Sequence, residues 1–234
     1  MIANPKNRIF DANPLTGMFM KKLSLIVMFL CAFLLSQAQQ APFYKDIQNF
    51  KKKDSIQFPP KNAILFVGSS TFTNWKDVQN YFPKHVIINR GFGGSSLTHV
   101  INYANDIIFP YHAKQVVIYC GENDFTGDAT ADIVVARVQK LFDLIRSNDS
   151  KVHIAFISIK PSPSREKKLP QMKEANEKIA NMMKRMKRAK FINTADAMYN
   201  ADGTIMKDIF TSDMLHINAK GYAIWQKIME PYLK

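Results

Sequence analysis

The chain has 234 residues, 47% of them hydrophobic and 22% charged, and a formal net charge of +13. That balance excludes a disordered or low-complexity chain and fits one domain with a sizeable core. Two cysteines cannot build a disulfide framework, and the basic excess is dispersed without interleaved aromatic residues, which argues against nucleic acid as a partner.

The first segment reads as a targeting signal. Lys21 and Lys22 precede an uncharged run from Leu23 to Leu35, followed by Ser36-Gln37-Ala38. A basic start, a short apolar run and small residues at alternate positions describe a secretory signal peptide over residues 1–38. The run falls short of the roughly 20 apolar residues a membrane span needs, so no stable anchor is expected after cleavage; an uncleaved membrane anchor is the alternative. The nineteen residues before Met20 are unlike a signal's front end, and Met18 and Met20 are alternative starts. Cys31 follows Phe29-Leu30, which lack the small residues of a lipoprotein site. An exported, periplasmic or extracellular protein is expected, with Cys120 its one cysteine and a small buried hydrophobe by nature.

Residues 39–60 are polar, end in Pro59-Pro60, and read as an N-terminal arm with a helix around Tyr44 to Lys53. From residue 61 to 234 apolar runs alternate with helical patterns. The runs are Ala63–Val67, His85–Asn89, Gln115–Cys120, Val152–Ile159 and, more weakly, Phe191–Thr194. They are short, β-branched and apolar on both faces, as parallel strands covered on both sides are. Ala131–Ile145 places Val134, Val135, Val138, Leu141, Phe142 and Ile145 at helical spacing. Leu169–Lys187 does the same with Met172, Ile179, Met183 and Met186, and Asn218–Met229 gives a last helix. Five strand–helix alternations predict an α/β fold with a doubly wound parallel sheet.

In such a sheet the ligand site lies beyond the carboxyl ends of the strands. After the first run comes Gly68-Ser69-Ser70, a tight turn into a helix whose serine is either a cap or an exposed nucleophile. After the second comes Asn89-Arg90-Gly91-Phe92-Gly93-Gly94-Ser95, whose glycines let backbone N–H groups face an anion or simply make a turn. Its spacing is that of neither a dinucleotide fingerprint nor a phosphate loop. After the third comes Gly121-Glu122-Asn123-Asp124, where Asn123 is a turn residue or an oxyanion donor. Further on, Asp213-Met214-Leu215-His216 is a surface pair or a base with its orienting carboxylate. Too few ligands cluster there for a metal. Each signal is weak alone; their placement at successive strand ends assembles a nucleophile, oxyanion donors, a base and its orienter.

These four blocks resemble the SGNH hydrolase superfamily, the GDSL-type esterases and lipases. Ser70 matches the nucleophile block, Gly94 the glycine block, Asn123 the G-x-N-D block, and Asp213 with His216 the D-x-x-H block. The resemblance covers roughly residues 61–230. It implies a three-layer, five-stranded parallel sheet of flavodoxin-like order. It also implies a serine mechanism without cofactor or metal, in which Ser70, Asp213 and His216 act on an ester bond and the backbone N–H groups of Ser70 and Gly94 join Asn123 at the oxyanion. One departure stands out: the usual G-D-S block has Ser69 where the aspartate belongs, so the choice between Ser69 and Ser70 rests on block alignment. The absence of an evident lid segment points to short acyl groups, such as acetyl, on a glycan or small-molecule substrate. A lysophospholipase or thioesterase, and a non-catalytic glycan-binding protein of the same fold, are the competing expectations. His99, Arg90, Trp75 and Phe92 are candidates to line the site, with packing or surface pairing as their ordinary roles.

Overall fold

Five short parallel strands order themselves β2-β1-β3-β4-β5 in a computed structural model that describes residues 41–234 and, before them, Met28 alone. The expected signal segment, residues 1–38, therefore lies outside the described residues. The strands are β1 (Ile64–Gly68), β2 (Ile87–Gly91), β3 (Gln115–Tyr119), β4 (His153–Ile157) and β5 (Ala189–Ile192). This is the flavodoxin-like order, and it places the topological switch point between β1 and β3. The crevice expected there lies between the loops that carry Ser70 and Asn123.

Alternation explains the layers. Ile64 and Phe66 of β1, with Val117 and Tyr119 of β3, face one side. There they meet Phe72 and Trp75 from α2 (Ser70–Asn74) and its continuation, Val78 from α3 (Val78–Tyr81), and Trp225 and Met229 from α8 (Ala219–Met229). The opposite face carries Leu65, Val67, Val116, Ile118, Ile154 and Phe156, all buried. It is covered by α4 (Leu97–Asn102), α5 (Ala104–Ile107), α6 (Ala131–Asn148) and α7 (Leu169–Lys184). Phe142 of α6 meets Phe156 edge-on at 6.2 Å between ring centroids. Each large apolar side chain buried this way contributes about 1.5–3 kcal/mol. Cys120 is buried and free, as the apolar run that carries it implies.

The expected helices are present with small changes of boundary. Met172, Ile179 and Met183 are buried on α7, whereas Met186 lies beyond its end. The helix in the N-terminal arm, α1, runs Tyr44–Ile56. Arg90, offered by the sequence as a substrate contact or a surface pair, is neither. It is buried, bonded to Asp54 of α1 and to the Tyr111 hydroxyl, with Phe50 and Tyr111 rings against its guanidinium. Trp75 and Phe92 are fully buried and serve packing.

Candidate active site

β1 must end abruptly for its next residue to leave the sheet. Gly68 makes this possible: its φ is +142°, and a Cβ there would stand 1.8 Å from the Tyr119 carbonyl oxygen. Only glycine fits that approach. Ser69 follows as the N-cap of α2, 2% exposed, and its N–H donates to the Tyr119 carbonyl at 3.1 Å. Ser70 is the first helical residue and half-buried. Its side-chain hydroxyl and backbone N–H are engaged by no protein partner among the described residues. Between the two serines, Ser70 is the accessible one.

The glycine block runs alongside. A Cβ built on Gly93 would lie 3.9 Å from the Ser70 Cβ. Gly94 adopts φ +80°, which turns the chain before Ser95, whose hydroxyl donates to the Gly68 carbonyl at 3.1 Å. Asn123 completes this side. Its Nδ2 donates to the Ser95 carbonyl at 3.0 Å and stands 3.5 Å from the Ser69 Oγ. The first contact fixes the amide; the second is long, so one N–H remains directed at the serine turn.

Asp124 welds the two blocks together. Its buried carboxylate accepts from the Leu97 N–H at 2.9 Å and from Arg137 at 2.7 Å. Burial raises its pKa, against the pull of those donors. His99 Nδ1 accepts from the Ser96 N–H at 3.1 Å, which leaves Nε2 to carry the proton of the neutral ring. Both residues line a cavity of about 370 Å³ with Gly94, Asn123, Thr126 and Arg137. The largest wholly apolar side chain in its wall is that of Ala129. A larger cavity, about 660 Å³ between α7 and the end of β5, contains none of the four blocks.

The histidine block is a tight loop closed by its own aspartate. Asp213 Oδ1 accepts from the Leu215 and His216 N–H groups, both at 2.9 Å, and from the Thr211 hydroxyl at 2.8 Å. Its Oδ2 lies 2.6 Å from His216 Nδ1. These donors, the His216 N–H first, hold the Asp213 carboxyl well below the usual carboxylate range. Met214 takes φ +55° to make the turn. With Nδ1 donating to a carboxylate, Nε2 of the neutral ring is left unprotonated and able to accept a proton. Asn218 then caps α8, accepting from the Lys220 N–H at 2.9 Å and the Gly221 N–H at 3.3 Å.

Tyr222 on α8 relates this loop to the serine turn. Its hydroxyl donates to the Thr71 carbonyl at 2.8 Å, and its ring stacks on Trp75 at 4.5 Å. Asp213 is bonded to His216, and Asn123 to the turns that carry Ser69 and Ser95. Among the described residues no hydrogen bond joins the Ser70 hydroxyl to His216. Such bonds are often long before substrate binds.

Sequence reasoning missed a charged pair behind the asparagine. Lys160, fully buried, donates to both carboxylate oxygens of Glu122 at 2.9 Å. Glu122 also accepts from the Tyr119 hydroxyl at 2.9 Å and from the Ser162 hydroxyl at 2.8 Å. The Lys160 ammonium lies 5.8 Å from the centre of the Phe210 ring, at the root of the histidine loop. The only available signal was a lysine at the end of an apolar run.

No curated protein matches the sequence. A Streptococcus pneumonia structure named for platelet activating factor superposes with TM-score 0.73 at 20% identity, over 90% of this chain and 99% of its own. A GDSL-like lipase from Bacteroides thetaiotaomicron gives 0.69 at 18%, over 80% and 96%. A variant of an acetyl-xylooligosaccharide esterase from Geobacillus Stearmophilus gives 0.58 at 14%, over 73% and 94%. At these identities the likeness establishes the fold. The family model of the GDSL-like lipases and acylhydrolases matches residues 61–224, across all four blocks, and the chain belongs to that family.

Proposed function

We infer that this chain is an exported serine esterase that removes short acyl groups, acetyl foremost, from a carbohydrate or similar small alcohol. The reading rests above all on the 2.6 Å contact of Asp213 with His216 Nδ1. It aims the opposite ring nitrogen as a base, on a loop whose following helix is bonded to the nucleophile turn. In the mechanism, neutral His216 takes the Ser70 proton as Oγ attacks the ester carbonyl. The oxyanion receives the N–H groups of Ser70 and Gly94 and the Asn123 amide. His216 then protonates the departing alcohol, leaving Ser70 acylated. Water, deprotonated by His216, attacks the acyl-serine; the acid leaves and Ser70 regains its proton.

The polar wall of the cavity beside Gly94 and Asn123 favours a short acyl group or a hydroxyl-rich one over an alkyl chain. The similar acetyl-xylooligosaccharide esterase agrees with acetyl on carbohydrate. Export rests on the basic start and apolar run of residues 21–38. A p-nitrophenyl ester series from acetate to palmitate, on wild type, Ser70→Ala and Ser69→Ala, tests the reading. We expect rates to fall with chain length and Ser70→Ala to lose at least about a thousand-fold. Palmitate faster than acetate turns the assignment to a lipid acylhydrolase; no turnover at any length turns it to a binding protein. Full activity in Ser70→Ala with loss in Ser69→Ala moves the nucleophile by one residue.

A further inference from the structure

One half-buried arginine has no use in the mechanism above. Arg165 lies in a 3-10 segment, Pro163–Lys168, that follows β4. Two tethers hold this segment at the site. The Ser164 N–H donates to the Met214 carbonyl at 3.1 Å, two residues before His216. The Arg165 N–H donates to the Ser162 carbonyl at 2.9 Å, and the Ser162 hydroxyl donates to Glu122, the neighbour of Asn123. The backbone at Arg165 is therefore tied to both the histidine block and the oxyanion block. Its own φ of −114° and ψ of 19° interrupt the helical run of the segment.

Among the described residues the other half-buried or buried arginines are all answered. Arg90 holds Asp54, Arg137 holds Asp124, and Arg146 donates to four backbone carbonyls. Arg165 takes part in none of the ion pairs among the described residues. Its Nε is buried and makes no hydrogen bond. The orphaned acceptor closest to it in sequence, Gln171 Oε1, is a neutral amide and would leave the charge unanswered. A guanidinium cannot shed its charge, and its planar fork suits a carboxylate or phosphate. The Arg165 Nη groups also make no hydrogen bond among the described residues and, unlike Nε, are open to solvent, so a bound anion can answer them.

The side of the site matters. His216 must reach the departing oxygen, so the alcohol part of the ester lies at the histidine block. The acyl part lies towards Gly94 and Asn123. Arg165, bonded through its neighbour to Met214, belongs with the alcohol. Lys167 and Lys168 on the same segment, against Glu166, add to the positive field. Resting on the esterase reading, we propose that Arg165 anchors a carboxylate or phosphate on the alcohol portion of the substrate, so that the enzyme deacylates esters of acidic alcohols.

The test uses matched acetyl esters. 4-Acetoxybenzoate is compared with its neutral methyl ester, and 4-acetoxyphenyl phosphate with phenyl acetate; the two pairs separate carboxylate from phosphate. Each rate is divided by that ester's alkaline hydrolysis rate, so that leaving-group reactivity cancels. We expect kcat/KM to favour at least one anionic ester by about ten-fold or more, chiefly through KM. Arg165→Met and Arg165→Gln bring that ratio close to one, Arg165→Lys restores part of it, and Lys167→Met keeps it. A wild-type ratio near one, with neutral esters turned over, overturns the anchor and leaves the esterase reading standing. Equal loss of the ratio in Lys167→Met also overturns it, in favour of a diffuse field. No turnover of any ester overturns both. The wild-type ratio decides the matter even if an Arg165 variant does not fold.

Discussion

Removing Glu122 should unfold this protein more readily than removing its partner Lys160, and removing both should restore much of the loss. Glu122 holds three donors: the Lys160 ammonium on both oxygens, the Tyr119 hydroxyl and the Ser162 hydroxyl. Without Lys160, two hydroxyl donors still solvate the carboxylate. Without Glu122, the Lys160 ammonium has only the Phe210 ring at 5.8 Å. Breaking a buried pair by deleting one partner costs about 3–5 kcal/mol, whereas replacing both by apolar groups is often neutral. We therefore place Glu122→Leu at the upper end of that range and Lys160→Met at the lower. With a urea m-value of roughly 2 kcal/mol per molar, the midpoint falls by roughly 1.5–2.5 M in the single variants. Equilibrium urea unfolding followed by tryptophan fluorescence reads this directly. The double variant should recover at least half of the Glu122→Leu loss. A double variant as unstable as the sum of the singles would refute the argument, because the loss would then come from shape and not from a stranded charge.

Two further outcomes follow from the site. Asn123→Ala should lower kcat by about 10²–10³, or 2.7–4 kcal/mol, with KM little changed, because the amide serves the oxyanion and not the bound ester; a loss confined to KM in steady-state assays would contradict that role. The depressed pKa of Asp213 links it to stability. A carboxyl whose folded pKa lies below its unfolded value contributes stability that is fully present above about pH 4 and is lost as pH falls through the folded value. Asp213→Asn should therefore flatten the acid limb of unfolding midpoint against pH, and an unchanged limb would remove Asp213 from that balance.

The first three blocks were legible because each follows an apolar run that stops at a glycine or asparagine turn; the block of Asp213 and His216 lies about twenty residues past β5 and was read from its spacing and the resemblance. Boundaries were less legible. β2 begins at Ile87, past a half-exposed Val86, and continues through Arg90 because Gly91 pairs with Gly68. β5 begins at Ala189, earlier than the apolar run, because it pairs from Ile154↔Ala189 at the sheet edge, where only one neighbour constrains it. Long-range links left no trace. The Tyr222–Thr71 bond spans 151 residues, and the Glu122–Lys160 bonds span 38. Neither residue pair has a spacing that any periodicity would mark. Arg90 was misread for the same reason: its partner Asp54 lies 36 residues away on a helix that the sequence presents as a polar arm.

We place the nucleophile at Ser70, activated by His216. Labelling the folded protein with a fluorophosphonate and locating the adduct by peptide mass spectrometry tests it most directly. We expect a single adduct on Ser70, absent in Ser70→Ala and strongly slowed in His216→Ala. An adduct on Ser69, or folded protein that takes up no label, would contradict it.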